Sequence, residues 1–168
     1  GQRLINNLGE PCTTPWPELN RTFPSPATLA REENAAHMGS LGLVRQRQKA
    51  IQALAREVES GHLDLSPQAQ LEPTLQALMA LPGIGPWTAH YIAMRVLRWT
   101  DAWPVQDVAL QTALGVRQHP RPTQALEALG QAWQPCRSYA LIAAWHRLAP
   151  QAEPSDHPEP HSHNAHTP

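Results

Sequence analysis

The stretch Leu81-Pro82-Gly83-Ile84-Gly85, followed by the apolar run Trp87 to Trp99 and then by Trp103-Pro104-Val105-Gln106-Asp107, decides how this chain is read. Pro82 fixes the approach to a tight turn, and glycines at 83 and 85 allow positive φ and let another backbone come close. An apolar segment, Leu71 to Ala80, precedes the turn, so the unit is helix, turn, helix. The unpaired N–H groups that open the second helix then point outward and suit an anion such as a phosphate. A plain helix-to-helix connection is the competing reading, because short glycine-rich turns are common there.

Outward from this unit the chain reads as helical throughout. Gln2 to Leu8 is closed by Gly9 in a C-cap position, and residues 10–24, rich in Pro and Thr, form a loop. Ser25 is an N-cap before Pro26 at the first helical position, which opens a helix to about Arg31; a second short helix covers Asn34 to Ser40. Leu43 to Ser60 places Val44, Ile51, Leu54, Ala55 and Val58 on one face and four basic residues elsewhere, and Gly61 ends it. Helices follow over about 108–114, 123–133 and 136–148. Beyond Pro150 the Pro/His-rich sequence has no apolar period and is expected to be disordered. The domain organisation is therefore one helical domain over 1–149 and a tail over 150–168.

Composition agrees with an all-α class: 41% of 168 residues are apolar, Leu and Ala abound, and Phe occurs once. Runs of β-branched and aromatic residues are scarce. The formal net charge is −1. Because Glu153, Asp156 and Glu159 fall in the tail, the rest of the chain holds 11 acidic against all 13 basic residues. Any affinity for a polyanion must therefore come from a local patch. Cys12 and Cys136 are too few for a four-thiolate cluster or an all-cysteine zinc site and read as buried or idle thiols. No apolar stretch long enough to span a membrane and no secretory leader is visible. An intracellular, cytoplasmic location is the expectation.

Three groups of side chains can carry chemistry. Trp87 and Tyr91, four apart, share a helix face, and Trp145 on the last helix can meet them. They either fill a core or supply the faces on which an extruded base stacks, with indole favouring a cationic one. Asp107 reads as an ordinary N-cap of the helix that begins at Val108. The same carboxylate, where a helix N-terminus favours negative charge, is also suited to stabilising an oxocarbenium-like sugar and orienting water. Asp101 stands six residues upstream and no second carboxylate is near, so a general acid is not expected. His90 and His146 read as bystanders, and the tail histidines His157, His161, His163 and His166 as solvated.

The string from Leu78 to Leu114, with its LPGIG turn, WTAHY and WPVQD, resembles the helix-hairpin-helix superfamily of DNA glycosylases. Trp133 to Trp145, with Gln134-Pro135-Cys136-Arg137-Ser138-Tyr139-Ala140, is similar to its bacterial alkylbase branch, 3-methyladenine DNA glycosylase II. The likeness covers about residues 1 to 149. It implies a partial form of that fold, with the N-terminal β-rich domain and first helices lying upstream. It also implies base-excision hydrolysis of the N-glycosidic bond of alkylated purines. Carried over by position, Asp107 matches the catalytic aspartate. Trp87, Tyr91 and Trp145 match the aromatic residues around the base.

The hairpin Leu81, Pro82, Gly83, Ile84 and Gly85 would then hold DNA phosphate through amides of about Gly83, Gly85 and Trp87. The carbonyls of Met79, Leu81 and Ile84 would hold a monovalent cation. No other cofactor and no iron–sulfur cluster is implied. The partner is double-stranded DNA with alkylated bases, met by a monomer with no membrane. Strand-nicking members carry a nucleophilic lysine where Trp87 stands, and indole forms no Schiff base, which implies a monofunctional enzyme. Gln106 and Val108 depart from the residues usual beside the aspartate, and bear on sugar contacts or base preference. The alternatives are a non-catalytic DNA-binding module and an inactive remnant.

Overall fold

The computed structural model describes residues 1–148, and the tail expected from residue 150 lies outside them. The order is α1 (Gln2–Leu8), α2 (Pro26–Ala30), α3 (Glu33–Ser40), α4 (Arg45–Glu59), α5 (Leu71–Ala80), α6 (Pro86–Arg95), α7 (Val108–Ala113), α8 (Pro122–Gly130) and α9 (Arg137–Leu148). A short 3-10 turn, Gln131–Trp133, joins α8 to the last segment. Among the described residues there is no strand, only an isolated antiparallel bridge between Pro11 and Arg21. The all-α reading holds.

Local chemistry sets several helix ends. Ser25 accepts the Thr28 N–H at 3.2 Å to cap α2, and Pro26 and Pro86 stand in the first turns of α2 and α6, where a missing N–H costs nothing. The packing is pairwise: α2 and α3 lie on α4, α5 on α6, and α7 on both α8 and α9. Three apolar clusters result. One forms around Leu4, Leu29, Met38 and Ala55, and one around Leu63, Leu78, Ile84 and Ala89. The third unites Met94, Trp103, Leu110, Leu126 and Leu141.

The structure corrects the sequence reading at several ends. α6 stops at Arg95, not Trp99, because Arg98 takes a left-handed φ of 58° and the Trp99 N–H turns back to the Ala93 carbonyl at 3.1 Å. No glycine marks that reversal. Gly9 is the C-cap of α1 as expected, in extended backbone (φ −78°), and it is the close Thr22 carbonyl, which a Cβ would strike, that calls for glycine there. Val44 caps α4 in exposed backbone and not on its apolar face, while Gln52 is buried instead, its Nε2 donating to the Arg31 carbonyl at 2.8 Å. Cys136 is exposed and Cys12 half-buried, so neither is a core thiol.

Candidate active site

The hairpin is built by α5, the turn and α6. The Leu81 N–H bonds the Leu78 carbonyl at 3.1 Å and the Ile84 N–H closes on the Leu81 carbonyl at 3.2 Å. Buried Ile84 pins the turn into the cluster with Leu78 and Ala89. The two glycines then differ. Gly83 has φ +81°, and a Cβ there would stand 3.1 Å from the Ala50 Cβ and 3.5 Å from the Gln46 carbonyl oxygen, both on α4. Its backbone conformation and its neighbours both call for glycine. Gly85, with φ −92°, would meet nothing within 4 Å, so no group of this chain demands its bare backbone.

Gly85 is also the N-cap of α6, and no side chain caps that helix. Among the described residues the N–H groups of Gly83, Gly85 and Trp87 have no acceptor. They are free to meet an anion, and the helix dipole favours one there. Around the turn the carbonyls of Met79 and Ile84 accept no hydrogen bond among the described residues, and that of Leu81 accepts one, from Ile84 at 3.2 Å. Each keeps a lone pair free, so the donor set fits a hard cation that takes oxygen ligands.

Asp107 lies one loop beyond α6, at the start of α7, and is 5% exposed. Its Oδ1 accepts the Leu110 N–H at 2.7 Å, as the N-cap expectation requires. Its Oδ2 accepts the indole Nε1–H of Trp87. Trp87 therefore meets Asp107 by its edge, which the sequence reading, treating it only as a stacking surface, did not foresee. Its ring is stacked on Tyr91, with centroids 5.5 Å apart and planes within 7°. Tyr91 in turn meets Trp145 of α9 at 6.0 Å and a 42° tilt.

The residues singled out for chemistry thus form one cluster beside the hairpin. Its internal geometry is tighter than a waiting slot. A ring inserted between Tyr91 and Trp145 would need two contacts of about 3.5 Å each, more than their 6.0 Å separation offers. One turn beyond Tyr91 the guanidinium of Arg95 lies over the same ring, 5.6 Å from its centroid. Tyr91 is therefore flanked along the helix by Trp87 and Arg95. The most exposed ring of the cluster is that of Trp87, at 40%, while Tyr91 and Trp145 are half-buried.

A set of residues outside the candidate list holds this cluster. Trp103 is buried and donates Nε1–H to the Leu126 carbonyl at 3.0 Å, and its backbone N–H donates to His90 Nδ1 at 3.3 Å. His90 also meets the edge of Trp99. Far from idle, it ties α6 to the loop that carries Asp107. Burial and the nearby Arg137 charge hold its imidazole below the usual value, partly offset by Glu127. Gln111 Nε2 donates to the Val105 carbonyl at 2.8 Å and fixes the same loop from α7. His146, Gln106 and Val108 are exposed.

At the other end of that loop, Arg137 forms a two-pronged pair with Asp101, Nε to Oδ1 at 2.8 Å and Nη2 to Oδ2 at 2.7 Å. These hydrogen bonds hold the Asp101 carboxyl below the usual carboxylate range and raise Arg137. Ser138 accepts the Ala102 N–H at 2.9 Å and donates to the Trp99 carbonyl at 2.8 Å. Arg137 and Ser138 thereby fasten the start of α9, and with it Trp145, to the segment leading to Asp107. Partners 36 residues apart leave no pattern a single sequence can reveal.

A glycine turn joining two helices, with an aspartate capping the next helix against an aromatic cluster, is the arrangement of a helix-hairpin-helix DNA glycosylase. Over the part it spans, the chain is similar to proteins of that kind. It is 36% identical over 146 residues to the "Probable bifunctional transcriptional activator/DNA repair enzyme AlkA" of Mycobacterium tuberculosis, a match covering 87% of this chain and 29% of that protein. It is 33% identical over 126 residues to "DNA-3-methyladenine glycosylase 2" of Escherichia coli, covering 74% of this chain and 42% of the relative. The chain thus spans less than half the length of either. Its fold matches the crystal structure of a DNA-3-methyladenine glycosidase from Bacillus halodurans with a TM-score of 0.60 at 28% identity, over 73% of this chain and 58% of that one. It also matches the 3-methyladenine DNA-glycosylase of Archaeoglobus fulgidus, with a TM-score of 0.67 at 17% identity, over 85% of this chain and 48% of that one. No protein-family model matches the chain.

Proposed function

We propose that this chain is the hairpin and catalytic part of a monofunctional DNA glycosylase that hydrolyses the N-glycosidic bond of alkylated purines and leaves the strand uncut. The observation that carries the reading is Asp107, a buried carboxylate held by the Leu110 N–H and the Trp87 indole at the edge of an aromatic cluster.

The proposed sequence of events starts at the hairpin, where the free amides of Gly83, Gly85 and Trp87 take a phosphate of double-stranded DNA. The carbonyls of Met79, Leu81 and Ile84 would hold a monovalent cation, which when bound adds positive charge beside that phosphate. The damaged nucleotide is extruded, because its scissile bond is out of reach inside the duplex. Its base docks on the face of Trp87 turned away from Tyr91, with Tyr91 backing that ring and Trp145 supporting Tyr91 in turn. A cationic base gains from indole through cation–π attraction and needs no acid to leave.

As the bond breaks, positive charge grows on the sugar. Asp107, fixed before the reaction, stabilises that charge and orients the attacking water without reorganising. Trp87 stands where a lyase needs an amine, so no covalent imine forms with the sugar. Action as a monomer and a cytoplasmic location follow from the same reading. Incubating methylated duplex DNA with the protein as the cell makes it should release free 3-methyladenine or 7-methylguanine, read by chromatography. The strand should stay intact until alkali cleaves the abasic site. Absence of base release, or a borohydride-trapped protein–DNA adduct, contradicts the reading.

A further inference from the structure

The first turns of α4 carry Arg45-Gln46-Arg47-Gln48-Lys49, three cations with no acid among them. All three are exposed, and none forms an ion pair or side-chain hydrogen bond among the described residues, whereas Arg56 on the same helix reaches Glu32 at 3.7 Å. Leaving three like charges close together without counter-charges costs folding energy through repulsion. The bulk charge of the chain is −1, so this local concentration is not a by-product of a basic composition.

Its place in the fold gives it meaning. Gly83 of the hairpin rests on this helix, against Ala50 and the Gln46 carbonyl. At about 3.6 residues per turn, positions 47 and 49 fall on either side of the edge formed by 46 and 50. Arg47 and Lys49 thus flank the hairpin contact, with Arg45 beside Lys49. Long basic side chains rising from an exposed helix can swing over a neighbouring polyanion.

We infer that Arg45, Arg47 and Lys49 form a second DNA-contact surface that takes duplex phosphates adjoining the one held by the hairpin. The proposal rests on the DNA-binding reading above and deepens it. The surface carries no sequence or lesion information; it adds counterion release and register on the duplex. The recognised chemistry is a regular array of phosphates.

The test is the affinity of the full chain for undamaged duplex DNA, measured over a range of salt. Each phosphate contact adds about 0.9 to the slope of log affinity against log salt. A variant with Arg45→Gln, Arg47→Gln and Lys49→Gln should therefore lose about 2 to 3 from that slope, and Arg47→Gln alone about 0.9. Arg47→Lys and Arg56→Gln should keep it, which separates charge at this surface from charge elsewhere on α4. Thermal melting of each variant confirms that the helix is intact. If wild type binds with a salt-dependent affinity and the triple variant keeps the full slope, the second surface is refuted while the DNA reading stands. If wild type shows no salt-dependent binding, the DNA reading itself is overturned.

Discussion

At the residue scale, the geometry turns on how one carboxylate is held. Asp107 Oδ1 is satisfied by the backbone of its own helix, and Oδ2 by the Trp87 edge. A capping aspartate needs only the first bond, so the second marks the difference between a cap and a positioned charge. Trp87→Phe removes the N–H and keeps a ring to stack on Tyr91. It should lower kcat for methylpurine release by about 10- to 100-fold, in line with the roughly 1.5–3 kcal/mol typical of a hydrogen bond to a charged group. Affinity for undamaged DNA should change little. An unchanged kcat in steady-state kinetics would deny Trp87 any role in placing the carboxylate.

At the scale of elements, the hairpin distinguishes two glycines that look alike in the sequence. Gly83→Ala puts an L-residue at φ +81° and a Cβ 3.1 Å from Ala50, which should cost about 1–2 kcal/mol in urea unfolding. Gly85→Ala meets no neighbour and should shift stability by less than about 1 kcal/mol, yet weaken DNA binding because its Cβ intrudes where a phosphate would approach. Equal stability losses in the two variants would contradict this division. The hairpin, the N-cap at Asp107 and the helix face shared by Trp87 and Tyr91 were legible because each is a local pattern of turn chemistry or helical spacing. The premature end of α6 was not, since Arg98 adopts a left-handed φ of 58° without a glycine to announce it. Nor were the pairing of Arg137 with Asp101 or the bond from Trp103 to His90, because tertiary contacts across long separations leave no periodicity.

The Arg137–Asp101 pair carries a pH signature at the same scale. Its two side chains are only 13% and 19% exposed. Asp101 has a depressed carboxyl pKa in the folded chain, caused chiefly by the Arg137 hydrogen bonds. The folded state therefore binds that proton more weakly than the unfolded chain, whose value is about 3.9. The stabilisation is fully present above that value and is lost as pH falls through the folded one. Asp101→Asn should cost about 1–3 kcal/mol at pH 7, and its deficit relative to wild type should shrink below about pH 4. Denaturant titrations across that range check it; a deficit that does not change with pH would show the pair contributes no charge-dependent stability.

At the scale of the whole molecule, the three apolar clusters bring the pieces of the site to one place. The cluster around Ile84 and Ala89 seats the hairpin, and the one around Trp103, Leu110 and Leu141 seats Asp107 and Trp145. α6 runs between them, presenting free amides at its start and an aromatic ladder along its length. In the proposed reaction a single helix thus serves both to hold the strand and to position the groups that release its base. Composition offers little hint of the proposed polyanion partner, because charge is arranged locally, on α4 and at the turn, in a chain of net charge −1. The central claim is that the Asp107 charge drives the chemistry. Asparagine also caps helices well, so Asp107→Asn keeps the Leu110 cap while it removes the charge and turns an amide NH2 toward the Trp87 indole, losing that hydrogen bond. Single-turnover release of methylpurines from alkylated duplex DNA should fall about 100- to 1000-fold, beyond the loss in Trp87→Phe, which removes the same hydrogen bond and keeps the charge; release near the wild-type rate would contradict the central claim.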